Sequence, residues 1–132
     1  MPVIFERTTC LLCGRAIREN DEFETVPSIF SDPGDRFFRY NDSAVHTHCF
    51  LNDENHREIR ELVKAVRTAY AQKKCRICGN EIKSPDEMIF VPVLSSCEEN
   101  PLFRFNCTAF HRKCFSLSEA AQEMGDREIS NL

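Results

Sequence analysis

The apolar residues of this chain follow two different spacings, and each spacing predicts its own kind of element. Short apolar stretches predict strands over residues 24–30 and 36–40, with turn-forming residues between them. The same arrangement recurs over residues 88–94 and 102–106. We therefore expect one β-hairpin in each half of the chain, with alternate aromatic residues of the second strand facing a small core.

A helical spacing of apolar residues follows the first hairpin. Asp53 is the predicted N-cap, and the helix is expected to continue to about Lys73. About 20 residues at 1.5 Å each span roughly 30 Å, enough to connect the two halves of the chain. The apolar face of this helix contains Ile59, Leu62, Val63, Val66 and Tyr70.

A second, shorter helix is predicted after residue 115. Ser116 and Glu119 have the spacing of a capping box, and Gly125 is a suitable stop. The predicted apolar face contains Leu117, Ala120, Ala121 and Met124.

Cysteine and histidine residues form the same pattern twice, with a constant offset of 65 positions. Each copy is Cys-x-x-Cys, a gap of 32 residues, then His-x-x-Cys. Agreement in all of these spacings indicates a repeated supersecondary unit. His48 also precedes Cys49, but it aligns with Lys113, so the repeat selects His46 instead. The predicted ligands are Cys10, Cys13, His46 and Cys49 in the first copy, and Cys75, Cys78, His111 and Cys114 in the second.

Three cysteines and one histidine at these spacings are typical of a structural zinc site, which has four protein ligands and no open position for water. We therefore expect two structural Zn²⁺ ions and no enzymatic activity. Each repeat has only about 40 residues, and units of that size usually need a metal or disulfides to fold. A structural zinc ion contributes on the order of 10–16 kcal/mol in peptide models.

The order of Cys-x-x-Cys-Gly, hairpin and His-x-x-Cys resembles a treble-clef zinc finger. The ending His-x-x-Cys-Phe, present at residues 46–50 and 111–115, resembles poly(ADP-ribose) polymerase-type fingers, and the ligand set also resembles that of LIM domains. The resemblance implies a small, zinc-stabilised α+β fold, in which two treble-clef modules are joined by a long helix. The expected modules are residues 1–74 and 75–132.

The charge balance bears on the choice of partner. The formal net charge is −4, and two sites with three thiolates each would bring it to about −6. This balance disfavours a surface devoted to phosphate binding, so a protein–protein adaptor is the favoured interpretation. LIM-type fingers are mostly protein-binding, which agrees with this choice. Neither a membrane nor a small-molecule substrate is expected as a partner.

Two alternatives remain open. One is a nucleic-acid-binding protein, which would use a basic stripe on the first helix together with two hairpin arginines. The other is a treble-clef nuclease that uses His48 and Asn52 near the first metal site. The candidate partner-binding residues are Arg57, Arg60, Lys64 and Arg67 on the helix, and Arg39 and Arg104 in the hairpins.

Cys97 and Cys107 lie outside the repeated ligand set, and we interpret them as small thiols or as a disulfide within one hairpin region. The first residues form no apolar leader, and no apolar run approaches the roughly 20 residues that span a bilayer. Zinc-binding thiols are typical of reducing compartments. We therefore expect an intracellular protein, either cytoplasmic or nuclear.

Overall fold

The computed structural model describes residues 8–118 and 121–123 of the chain. These residues form a small α+β fold with two antiparallel two-stranded sheets, a short helix after each sheet, and one long helix between the halves. The elements are β1 (Phe23–Val26), β2 (Ser43–His46), α1 (Thr47–Leu51), α2 (His56–Gln72), β3 (Met88–Val91), β4 (Thr108–His111) and α3 (Arg112–Ser116).

The two sheets have the same register, offset by the repeat. Phe23 of β1 lies opposite His46 of β2, and Met88 of β3 lies opposite His111 of β4. Each second strand therefore ends at the predicted histidine ligand, and a five-residue helix begins at the next residue. This arrangement fixes the histidine at the junction between a strand and a helix.

The second strand of each hairpin lies later in the sequence than the apolar pattern predicts. Residues 36–40 and 102–106 are not strands; they lie in turns and in the short 3₁₀ helices Phe38–Tyr40 and Pro101–Phe105. The burial pattern explains this, because Phe37 and Tyr40 are buried while Phe38 is 37% exposed. Inward residues three positions apart match a 3₁₀ helix, whereas a strand would bury alternate residues.

A left-handed residue precedes each observed second strand. Asp42 has a φ of 53° and Cys107 has a φ of 59°, and the two positions are equivalent in the repeat. The chain reverses there and enters β2 or β4. A single non-glycine residue adopts this conformation at some energetic cost, so its occurrence in both halves marks a shared structural requirement.

Helix α2 carries the apolar face that its sequence predicts. Ile59 and Val66 are buried, and Tyr70 is 48% exposed. The helix begins at His56, later than predicted, because Asp53 belongs to the preceding turn. Asp53 accepts hydrogen bonds there from the backbone N–H of Asn55 (2.8 Å) and from the Tyr40 hydroxyl (2.7 Å).

No helix within the described part of the chain is long and apolar enough to cross a membrane. The predicted short helix after Ser116 falls partly on residues 119–120 and 124–132, which lie outside the described residues. Of its predicted apolar face, Leu117 is 90% exposed.

The two halves contact each other through more than helix α2. Phe30 forms a parallel bridge with Val93, and Val93 belongs to the buried core of the first half. The Asp35 carboxylate accepts hydrogen bonds from the backbone N–H (2.7 Å) and the hydroxyl (3.0 Å) of Ser96. The ring of Tyr70 packs edge-to-face on Phe90, with 5.3 Å between centroids. The division of the chain into independent modules at residue 74 stays a prediction.

Candidate metal centres

A tight turn after the first cysteine of each repeat positions the second cysteine. The backbone N–H of Gly14 donates to the carbonyl of Cys10 (2.9 Å), and the N–H of Gly79 donates to the carbonyl of Cys75 (2.8 Å). The two glycines have φ angles of +74° and +75°, a conformation that glycine adopts without a steric penalty. The turn therefore brings both sulfur atoms of each Cys-x-x-Cys to one side of the backbone.

The strand that bears the histidine closes each cluster. The backbone N–H of His46 donates to Sγ of Cys10 at 3.3 Å, and that of His111 donates to Sγ of Cys75 at 3.3 Å. One residue thus supplies both a backbone donor to the first thiol and a side-chain ligand. The next helical turn adds the last cysteine of each set, Cys49 or Cys114.

The ligand atoms have the separations that a tetrahedral metal site requires. In each cluster the three Sγ atoms and the histidine nitrogen all lie within 4.8 Å of one another. Nδ1 of His46 lies 3.4 Å from Sγ of Cys13 and 4.0 Å from Sγ of Cys49. Nδ1 of His111 lies 3.3 Å from Sγ of Cys78. Tetrahedral zinc with ordinary bond lengths places sulfur and nitrogen about 3.6 Å apart, so each cluster can hold a metal ion.

Hydrogen-bond donors around the first cysteine of each set favour its thiolate form. Burial raises the pKa of the Cys10 thiol, but backbone N–H donors from His46, Cys13 and Leu12 outweigh burial and lower the pKa to about 6. The equivalent donors outweigh burial at Cys75 and lower its pKa to about 6 as well. A thiolate is the form of cysteine that binds metal.

The last cysteine of each set shows the opposite shift. Burial, followed by the neighbouring cysteines of the same cluster, raises the pKa of Cys49 and of Cys114 to about 11. The neighbouring cysteines of each cluster therefore oppose ionisation of the last thiol while no cation is bound. A divalent metal offsets this opposition and deprotonates a coordinating thiol.

The two clusters differ in how the histidine is supported. Nε2 of His46 lies 3.1 Å from Oδ2 of Asp21, and His46 is only 6% exposed. His111 is half-buried, and it forms no hydrogen bond with Asp86, the counterpart of Asp21 in the repeat. Instead, the backbone carbonyl of Asp86 accepts a bond from Nε of Arg112 (2.7 Å). Within residues 8–118 and 121–123, the first cluster thus contains a carboxylate–histidine pair and the second contains none.

Burial lowers the pKa of His46, but hydrogen bonds with Cys13 and Asp21 outweigh burial and raise the pKa to about 9. A backbone bond from Arg18, together with the bond to His46, lowers the pKa of Asp21. Metal binding at Nδ1 would displace one proton and leave Nε2–H donating to the carboxylate. Ligand spacing does not reveal the role of Asp21; the available signal was an aspartate at the same position of both repeats.

The remaining chemical candidates lie outside both clusters. His48 is exposed, its ring stacks on that of His46 at 5.4 Å, and its Nε2 lies 3.5 Å from Sγ of Cys49. Asn52 is an exposed residue at the end of α1. Cys97 and Cys107 carry free thiols, so the disulfide considered for them is not formed.

The predicted partner-binding arginines differ in how they are engaged. Arg60 forms an ion pair with Glu24, and Arg104 forms one with Glu123. The guanidinium groups of Arg39 and Arg104 lie over the rings of Tyr40 and Phe105, at equivalent places in the two halves. The other three predicted residues, Arg57, Lys64 and Arg67, are exposed on α2.

Comparisons of the chain with protein-family models, with curated proteins and with solved structures found no match. The geometry of the two clusters and of the surrounding surface is therefore the basis for assigning a function.

Proposed function

We propose that this protein is a non-enzymatic, zinc-binding interaction module that binds another protein. In this proposal each half is a treble-clef unit, and each holds one structural Zn²⁺ through three thiolates and one imidazole. The observation that carries the proposal is the closed ligand set, with four protein ligand atoms within 4.8 Å of one another in each cluster. Sites with this composition stabilise folds, and the surface of the fold then contacts the partner.

The same ligand set argues against catalysis at the metal. A catalytic zinc ion commonly has three protein ligands and keeps a fourth position for water or substrate. Here the fourth position of each cluster is taken by a cysteine, Cys49 or Cys114. The nuclease alternative would depend on His48, whose ring stacks on the ligand His46. An assay of nucleic-acid cleavage with added Mg²⁺ tests it, and no cleavage is expected.

The surface charges favour a protein partner over nucleic acid. Arg36, Arg60 and Arg104 each form an ion pair with a glutamate of this chain, so their charge is partly compensated. The net charge of −4 becomes about −6 with two zinc-loaded sites. Arg57, Lys64 and Arg67 are exposed on α2, so the nucleic-acid alternative would depend on these three cations in a protein of negative net charge.

A direct comparison of the two partner classes tests this proposal. Zinc-loaded protein is titrated with labelled mixed-sequence DNA and RNA, single-stranded and double-stranded, at several salt concentrations. We expect no binding even at low salt. Strong binding that weakens steeply with salt, and that is lost on replacing Arg57, Lys64 and Arg67 with Gln, would establish the nucleic-acid alternative. Proximity labelling and cross-linking in cells should instead recover a protein partner.

A further inference from the structure

An apolar groove lies where the two halves of the molecule meet. Helix α2 forms one wall, strand β3 forms the other, and the segment after β1 closes one side. The groove has a volume of about 630 Å³, a size typical of ligand-binding clefts. Its apolar lining includes Val63, Val66, Tyr70, Ile89 and Phe90.

Part of this apolar surface is open to solvent. The side chain of Tyr70 is 48% exposed, while Val66 and Ile89 are largely buried in the groove floor. Apolar residues grouped in a concave surface can receive an apolar side chain of a partner. An open groove, in contrast to an enclosed cavity, suits an extended protein segment that inserts one or two apolar side chains.

Among the described residues, two arginines line the groove and no acidic residue does. Arg67 comes from α2 and Arg112 from the start of α3, so each half of the molecule supplies one cation. No carboxylate within residues 8–118 or 121–123 forms an ion pair with either guanidinium. The hydrogen bond from Nε of Arg112 to the carbonyl of Asp86 orients the guanidinium group. Both Nη groups can then donate to a bound carboxylate. Charge complementarity therefore selects a partner with carboxylates next to its apolar anchor.

We infer that this groove binds an acidic segment of a partner protein, with an apolar side chain on the groove floor and flanking carboxylates on Arg67 and Arg112. This inference rests on the proposed function and names the site and the chemistry of the partner. Because the two arginines belong to different halves, binding requires both zinc-stabilised units to be folded and in contact.

A peptide library provides the probe. Zinc-loaded protein is used to select from a random library of peptides of about 12 residues, and the selected peptides are measured by fluorescence polarisation. We expect selected peptides to combine Leu, Ile, Phe or Met with neighbouring Asp or Glu. Replacing their acidic residues with Asn or Gln, or their apolar residue with Ser, should each weaken binding about tenfold or more. Selection of peptides without carboxylates would overturn the inference.

Variants of the groove locate the binding site. Combined replacement of Arg67→Glu and Arg112→Glu should weaken peptide binding about tenfold or more, because repulsion replaces attraction. The matched control is Arg57→Glu combined with Lys113→Glu, two exposed cations outside the groove, and it should leave affinity within about twofold. Zinc content and unfolding temperature establish that each variant is folded. Equal effects of the two double variants would contradict a specific site.

Tyr70→Ser tests the apolar part of the same groove. It should weaken peptide binding while leaving the salt dependence of binding unchanged, because it removes apolar contact and no charge.

Sedimentation at increasing concentration tests whether a second copy of this chain occupies the groove. Self-association that Arg67→Glu with Arg112→Glu abolishes would assign the groove to that copy and overturn the inference.

These outcomes separate the inference from the proposed function. If a cellular protein partner is recovered and the groove variants still bind it, the groove assignment fails while the interaction module stands. If instead the protein binds nucleic acid and selects no peptide, the proposed function itself fails.

Discussion

The Oδ2 atom of Asp21 lies 3.1 Å from Nε2 of His46, and this pair distinguishes the two cysteine–histidine clusters of an otherwise repeated structure. The carboxylate accepts a hydrogen bond from the Nε2 side of the ring and raises the basicity of Nδ1, which faces the cysteines in both clusters. The equivalent Asp86 contributes its backbone carbonyl to Arg112 instead. Two clusters with the same ligands are therefore expected to differ in metal affinity.

Replacing Asp21 with Asn removes the negative charge beside His46 and should weaken zinc binding at the first site about 10-fold to 100-fold, the usual effect of altering such a support. The amide oxygen can still accept the bond from the Arg18 backbone N–H, which limits damage to the turn. Competition with a chromophoric chelator measures the change. Asp86→Asn is the matched control and should leave both sites unaffected; equal losses in the two variants would contradict the assigned role.

The same difference predicts the order in which the wild-type protein loses its metals. His111 is more exposed than His46 and pairs with no carboxylate of the described residues, so the second site should release zinc first as chelator is added. Native mass spectrometry should show a singly loaded intermediate, and the NMR signals of residues around His111 should change before those around His46. Simultaneous release of both metals, or release from the first site before the second, would rule this out.

Cysteine replacements test the ligand assignment directly. Cys75→Ser or Cys114→Ser should lose one of two zinc equivalents and unfold the second half, because each removes one ligand of a closed site. Cys97→Ser should retain both equivalents, since this exposed thiol lies outside both clusters. Native mass spectrometry and circular dichroism report metal content and folding. Release of metal from the Cys97 variant would require a different ligand set.

The sequence was sufficient to identify the eight residues of the two clusters, because coordination chemistry restricts both residue type and spacing, and the repeat removed the ambiguity between His46 and His48. It misplaced the second strand of each hairpin. A strand would place alternate aromatic residues in the core, but the buried residues Phe37 and Tyr40 are three positions apart and Phe38 is exposed. The positive φ values of Asp42 and Cys107, which start the observed strands, have no glycine to signal them.

The contacts between the halves could not be predicted from local patterns. The bridge between Phe30 and Val93 joins residues far apart in the sequence, and nothing in either segment specifies the other. The groove could not be predicted either, because it exists only where α2 and β3 meet. Likewise, the ion pairs of Arg60 with Glu24 and of Arg104 with Glu123 depend on tertiary placement. The spacing of basic residues along α2 therefore does not predict which of them form ion pairs.

The glycine after each Cys-x-x-Cys should resist substitution for conformational reasons alone. Gly79 has a φ of +75°, and an added Cβ would meet nothing within 4 Å, so Gly79→Ala tests backbone strain without a clash. We expect a loss of about 1–2 kcal/mol in the free energy of unfolding, measured by urea denaturation of the zinc-loaded protein. Gly34→Ala is the control, since the nearest atom lies at an ordinary 3.5 Å. A loss as large as that of Gly79→Ala would exclude strain as the cause.

The contact between Asp35 and Ser96 should couple the stabilities of the two halves. Ser96 is buried and donates both its N–H and its hydroxyl to the Asp35 carboxylate, so Asp35→Ala leaves a buried donor without an acceptor. The expected cost is about 1–3 kcal/mol in the free energy of unfolding. Asp32→Ala, which removes an exposed bond within one turn, should cost less than about 0.5 kcal/mol.

Asp35 also accepts a bond from the backbone N–H of Phe37, so a double-mutant cycle is needed to isolate the contact between the halves. Combining Asp35→Ala with Ser96→Ala should give a coupling energy of about 0.5–3 kcal/mol, the range found for residues in direct contact. The double variant should also unfold in two urea transitions, whereas a single transition is expected for the wild type. The reason is that this contact helps the two halves unfold together. Strict additivity of the two substitutions would limit Asp35 to a local role in its own turn.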